Sequence, residues 1–146
     1  MKKLTFVFLA LIAGFVAVGQ TTADTTAIKE TVMNYIEGFY TADGARMEKA
    51  LHPDLAKRVV FSNPNGNSYV QNMTAMSLYS YTKGKKDESV ENGKLEVTIT
   101  IFDIFENIAT VKATTAYFPF IDYCHLGKVD GEWKIINVLW AMKPRK

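Results

Sequence analysis

The sequence has 146 residues, of which 48% are hydrophobic and 12% aromatic, and it carries 17 Lys+Arg against 15 Asp+Glu for a formal charge of +2. That length suits one domain with a substantial core, and the near-balance of charge excludes the basic face expected of a nucleic-acid binder of this size. The single cysteine, Cys124, excludes an intramolecular disulfide, and two histidines in distant segments offer no zinc-ligand spacing, so neither metal nor cofactor is expected.

Lys2 and Lys3 precede an apolar run from Leu4 to Val18, and Ala17 and Gly19 set small residues two apart before Gln20. This is the pattern of a secretory signal cut after Gly19. The run falls short of the roughly 20 residues that cross a bilayer as a helix, and no cysteine stands at the cut for lipid attachment. Removal of residues 1–19 takes away two lysines and no acid, so the mature domain is formally neutral, soluble, and secreted or periplasmic, with no membrane partner. The clusters Lys83, Lys85, Lys86 and Lys143, Arg145, Lys146 read as solvated ends of elements, which speaks against a nucleic-acid partner.

Residues 20–26 read as a flexible lead-in to a single domain over 27–142. From Thr25 to Tyr40 the residues Ile28, Val32, Tyr35, Ile36 and Phe39 recur at helical spacing, with Asp24 or Thr25 as a cap. Asp43-Gly44 breaks the chain, and a short second helix carries Met47, Ala50 and Leu51 before His52-Pro53-Asp54 ends it. His52 there suits a capping role. Val59 to Phe61 and Tyr69-Val70 flank a turn-rich stretch and predict a small hairpin. A third helix is expected over Asn72 to Thr82, and a polar loop over Lys83 to Gly93. The period then changes to two. Leu95, Val97, Ile99 and Ile101 alternate with polar residues, and Glu106-Asn107 turns into a strand over Ile108 to Tyr117, where Ala109, Val111 and Ala113 share one face. These small alanines leave room there for a helix or a ligand.

After a break at Phe118-Pro119-Phe120, strands over Ile121 to Val129 and Glu132 to Trp140 flank Asp130-Gly131, a strong two-residue hairpin signal. Such a turn sets the register: Lys128 faces Trp133, Leu126 faces Ile135, Cys124 faces Asn137 and Asp122 faces Leu139. One face then carries Asp122, Cys124, Leu126, Trp133, Ile135, Asn137 and Leu139, and is taken as concave because its polar groups are costly to bury without a purpose. Tyr123, His125, Ile136, Val138 and Trp140 form the other face, with Glu132 and Lys134. It is apolar enough to predict a homodimer contact. Asp122 among apolar neighbours suits a general base, or accepts backbone donors after the break. Cys124 suits a small inert core residue, and His125, three residues from Asp122, points to the opposite face. Nucleophilic triads and metal hydrolysis are thereby disfavoured.

The order helix, helix, hairpin, helix and four long strands resembles the NTF2-like superfamily, the cone-shaped α+β fold of ketosteroid isomerases and polyketide cyclases. More closely, Tyr35-Ile36-Glu37-Gly38, the stretch from Ala50 to Arg58, and Asp122-Tyr123 through Lys128 to Asn137 resemble the bacterial family described as "Putative lumazine-binding". The resemblance runs from about Ala27 to Trp140. It implies a curved antiparallel sheet wrapped around N-terminal helices, and a pteridine-like ligand. Family members often carry Lys where this chain has Val138, so that charge is absent here.

Three functions compete. The first is a non-catalytic binder of a small flat or apolar molecule, with Tyr35, Phe39, Asp122, Cys124, Trp133 and Asn137 around the ligand. The second is an isomerase- or cyclase-like enzyme in which Asp122 moves a proton and Tyr35 polarises a carbonyl; these two are placed by position and chemistry, since the isomerase motifs do not align here. The third is a dimeric interaction protein whose cavity is filled by its own side chains.

Overall fold

The computed structural model describes residues 22–83 and 95–144. The leader at 1–19, most of the loop expected over Lys83 to Gly93, and the last two residues of the basic tail lie outside them. Helix α1 covers residues 22–40 and α2 covers Gly44–Ala50. Strands β1 (Leu51–Ser62) and β2 (Ser68–Met73) are followed by α3 (Ala75–Thr82), and then by β3 (Val97–Phe105), β4 (Ile108–Thr115), β5 (Phe120–Val129) and β6 (Glu132–Met142). The strands form one sheet of six in the order β2-β1-β6-β5-β4-β3. All neighbours pair antiparallel except β1 and β6, which run parallel. The architecture is the α+β arrangement that the sequence implied, with that one parallel pair added.

The α1 stripe buries Ile28, Val32, Tyr35 and Ile36 against Val111, Leu126, Ile135 and Val138 of the sheet. Gly38 permits the sharp return into α2: a methyl there would lie 3.1 Å from Asp43 O, Arg46 Cβ and Met47 Cγ. Ala42 makes the turn at φ 59°, and Asp43 caps α2 by accepting from the Arg46 amide at 3.1 Å.

Several elements differ from the sequence reading. Residues 22–26, expected as a lead-in, are helical. Asp24 is neither cap nor coil: its Oδ1 accepts from Lys128 Nζ at 2.7 Å and from Trp133 Nε1 at 3.0 Å. The stretch after Ala50 goes directly into β1 rather than continuing a helix to His52-Pro53-Asp54. Pro53 is tolerated because the β1–β6 register shifts between Leu51 and Ala56, where no ladder donor is required of it. His52 therefore caps no helix; its Nδ1 accepts from the Asp54 amide at 3.2 Å. Asn72 and Met73 belong to β2, and α3 starts after Thr74, whose side chain forms a capping box with Ser77.

The terminal hairpin holds the largest correction. Asp130 and Gly131 have φ of 51° and 85°, the double left-handed turn that Asp-Gly favours, and the register runs as expected from Val129↔Glu132 to Leu126↔Ile135. It then shifts: His125 pairs with Asn137, Cys124 with Val138, Tyr123 with Leu139 and Asp122 with Trp140. Ile136 is the extra residue of a bulge, and its Cδ1 lies 3.7 Å from where a Cβ on Gly127 would stand, an ordinary contact distance. A one-residue slip exchanges faces. Asn137 and Leu139 therefore point outward, whereas Val138 and Trp140, expected on the convex side, point inward. A second shift in β3, between Ile101 and Asp103, adds to the bending that bulges give a sheet.

The Asp24 cluster ties the first turn of α1 to the hairpin. The hydrogen bond from Lys128, then that from Trp133, hold the Asp24 carboxyl below its ordinary value of 3.8. A depressed folded value means that this stability is complete well above 3.8 and is lost as pH falls below it. Asp24→Asn is expected to lower the melting temperature at pH 7 by several degrees, and to flatten the loss of stability between pH 5 and 3. A melting series against pH checks both, and an unchanged acid limb would contradict the assignment.

Candidate ligand-binding site

A cavity of about 410 Å³ opens between α1, α3 and the inner sheet face. Its walls are apolar and largely aromatic. Tyr40 stacks on Phe118 with centroids 4.0 Å apart and planes 9° apart, and Phe39 stacks on Tyr81 at 5.8 Å. Phe120, Leu78, Met73 and Met142 complete much of the surface. Phe118 is held by Thr115, whose Oγ1 accepts from the Phe118 amide at 2.9 Å, so the break after β4 becomes a fixed wall.

At the floor three side chains from distant elements meet. Tyr35 comes from α1, Lys57 from β1 and Asp122 from β5. Tyr35 Oη donates to Asp122 Oδ2 at 2.7 Å, and Lys57 Nζ donates to Tyr35 Oη at 2.6 Å and to Asp122 Oδ2 at 3.0 Å. The Lys57 and Asp122 side chains are only 10% and 2% exposed, and the ammonium lies 5.0 Å from the centre of the Trp140 ring. Burial, then the adjacent Asp122 carboxylate, push the Tyr35 phenol well above its ordinary value of 10.0. The phenol keeps its single proton, and that proton is directed at Asp122. Two polar atoms here, Asp122 Oδ1 and Trp140 Nε1, are buried without a partner among the described residues.

Of the residues expected around a ligand, the structure brings Tyr35, Phe39 and Asp122 to the cavity. Cys124 is fully buried in the core and does not line it; burial, then the Asp122 charge, raise its thiol far above the ordinary range. Trp133 lies away from the cavity, beneath the first turn of α1, donating to Asp24. Asn137 faces outward, its Oδ1 accepting from Arg58 at 3.0 Å and its Nδ2 3.0 Å from His125 Nδ1. Asp122 was expected among apolar neighbours with Tyr35 in the same pocket, and its Oδ2 has the Lys57 cation as well as the phenol.

Sequence reasoning missed Lys57 and Trp140. The signal for the first was present: Leu55, Lys57 and Val59 alternate as inward positions of one strand, so the lysine stands in a buried row. The signal for the second was the gap of three between Ile135 and Val138, which a strict period of two cannot bridge. Among the described residues no three His, Cys, Asp or Glu side chains converge as metal ligands, and no helix is long and apolar enough to cross a membrane.

A family model described as "Putative lumazine-binding" matches residues 23–141. The chain belongs to this family. Membership in this family supports a small-molecule-binding protein. No curated protein matches the sequence. Solved structures show the NTF2-like fold. An NTF2-like protein of unknown function from Silicibacter pomeroyi has a TM-score of 0.65 at 13% identity, covering 84% of this chain and 98% of its own. One from Methylobacillus flagellatus has 0.65 at 21%, covering 84% and 94%. The association domain of C. elegans CaMKII has 0.56 at 15%, covering 83% and 97%.

Removing one member of a buried ion pair leaves the other uncompensated. Lys57→Met is expected to cost about 3–5 kcal/mol of folding stability. The double variant Lys57→Met/Asp122→Leu is expected to recover most of it, since apolar residues replace the whole pair. Urea denaturation of the three proteins checks this, and a single variant as stable as the parent would contradict the buried contact.

Proposed function

We propose that this protein is an exported, non-catalytic binder of a small, flat, largely apolar molecule, of which a pteridine-like ring is the favoured example. The observation that carries the reading is the cavity: about 410 Å³, within the range of small-molecule pockets and walled by aromatic rings over a few polar groups. Its volume argues against a site filled by its own side chains. The family description supports the pteridine-like choice.

The enzyme reading is weaker because its two actors are engaged with each other. A Tyr35 proton directed to Asp122 is not offered to a substrate carbonyl, and Asp122 Oδ2 already accepts from two donors. A screen of lumazine, flavins, steroids and polyketide-like compounds by thermal shift and native mass spectrometry is expected to return planar heteroaromatic binders. An enolisable cyclic ketone is expected to show no turnover above buffer. A uniformly null screen, or ketone turnover abolished by Asp122→Asn, would overturn the reading.

The protein acts as a homodimer through its outer sheet face in this proposal. Tyr123, Leu139, Val60 and Phe102 are 40%, 48%, 57% and 53% exposed there, around the polar row of Arg58, Asn137 and His125. Several large apolar side chains left exposed on one sheet face usually mark a contact. The fold is also that of the association domain of C. elegans CaMKII. Light scattering at micromolar concentration is expected to give a dimer, and Leu139→Glu a folded monomer. A wild-type monomer with no trace of dimer would remove this part. Export rests on residues 1–19, and the intact mass of protein recovered from the periplasm is expected to lack them.

A further inference from the structure

We infer that the cavity selects an occupant carrying a lactam edge, a ring N–H beside a ring C=O, read by Asp122 and Trp140 together. The inference rests on the cavity being a ligand site and names the chemistry it takes. Asp122 and Trp140 are direct partners across β5 and β6, so their side chains leave the same sheet face at about 4.5–5.5 Å separation. Both line the cavity. Each holds one buried atom with no partner among the described residues, an acceptor on Asp122 Oδ1 and a donor on Trp140 Nε1. Buried polar groups are nearly always paired, and an unpaired acceptor and an unpaired donor on partner residues of one sheet face are complementary to a donor and an acceptor on one edge of a ring.

The surrounding charges narrow the class further. A carboxylate or phosphate would meet the Asp122 charge, and an ammonium or guanidinium would meet Lys57, which already gives two of its three N–H donors to Tyr35 and Asp122. A neutral group avoids both conflicts. Asp122 Oδ2 is occupied by Tyr35 and Lys57, which leaves Oδ1 as the oxygen that reads the ligand N–H. The aromatic walls, with Tyr40 and Phe118 stacked at 4.0 Å, take the flat body of the ring. Neither polar atom is reached by water, so recognition includes a small turn of both the Asp122 carboxylate and the Trp140 indole toward the occupant.

The test compares quinolin-2(1H)-one with its N-methyl derivative by isothermal titration against the full folded protein, and repeats the first with Trp140→Phe. N-methylation removes the donor and adds one methyl group; Trp140→Phe removes the indole N–H together with one of the two fused rings. The quinolinone is expected to bind at least tenfold more tightly than its N-methyl form, and Trp140→Phe to weaken it several-fold. Equal binding of the two compounds to the wild-type protein would overturn the lactam assignment and leave the cavity as a ligand site. Binding of neither at millimolar concentration would overturn both.

Discussion

The contact between Lys57 and Asp122, 3.0 Å long and almost closed to water, restricts the structure more than any apolar pair in it. Each of those charges costs several kcal/mol to bury alone, so the strands that carry them have little freedom in register. β1 must turn position 57 inward and β5 must do the same with position 122. Tyr35, on α1, then joins the two through its hydroxyl. The strand between them, β6, pairs Val138 with both Lys57 and Cys124, and Trp140 with Asp122. The bulge at Ile136 is what brings that indole under the ammonium. Without it Leu139 would occupy the inner position and Trp140 would stand in solvent.

The same hairpin is anchored at its other end by a different ion pair, Asp24 with Lys128, backed by the Trp133 indole. There the indole is satisfied by the protein: the Trp133 N–H donates to Asp24, and the Trp133 carbonyl accepts from the Thr31 hydroxyl at 3.1 Å. At the cavity end the corresponding indole and one carboxylate oxygen are left over. Two tryptophans on one strand thus have opposite roles. One closes the fold onto α1, and the other leaves hydrogen-bonding capacity at the floor of a ligand-sized space.

The fold was legible because its strongest signals are local. The Asp-Gly turn, the alanines of β4 and the helical stripe of α1 each depend on a few adjacent residues, and each is found as read. Misreadings arise where tertiary contacts override a local rule. Asp24 resembles a cap but is drawn into the helix by Lys128 and Trp133, and Pro53 resembles a terminator but sits in a gap of the ladder. The site was half legible. Tyr35 and Asp122 were read from position and chemistry. Lys57 was hidden because a lysine is ordinarily solvated, and Asn137 was misplaced because counting by twos cannot register an inserted residue.

A fold shared with many unrelated activities says little about chemistry, and the floor of the cavity is where this chain's chemistry lies. The most direct test is a heteronuclear NMR correlation of the lysine side-chain ammonium groups at neutral pH and low temperature. A buried, paired Lys57 predicts one ammonium signal in slow exchange with water, with Overhauser contacts to the Tyr35 and Trp140 rings. Ammonium groups that all exchange rapidly, with no contact from Lys57 to either ring, would contradict it.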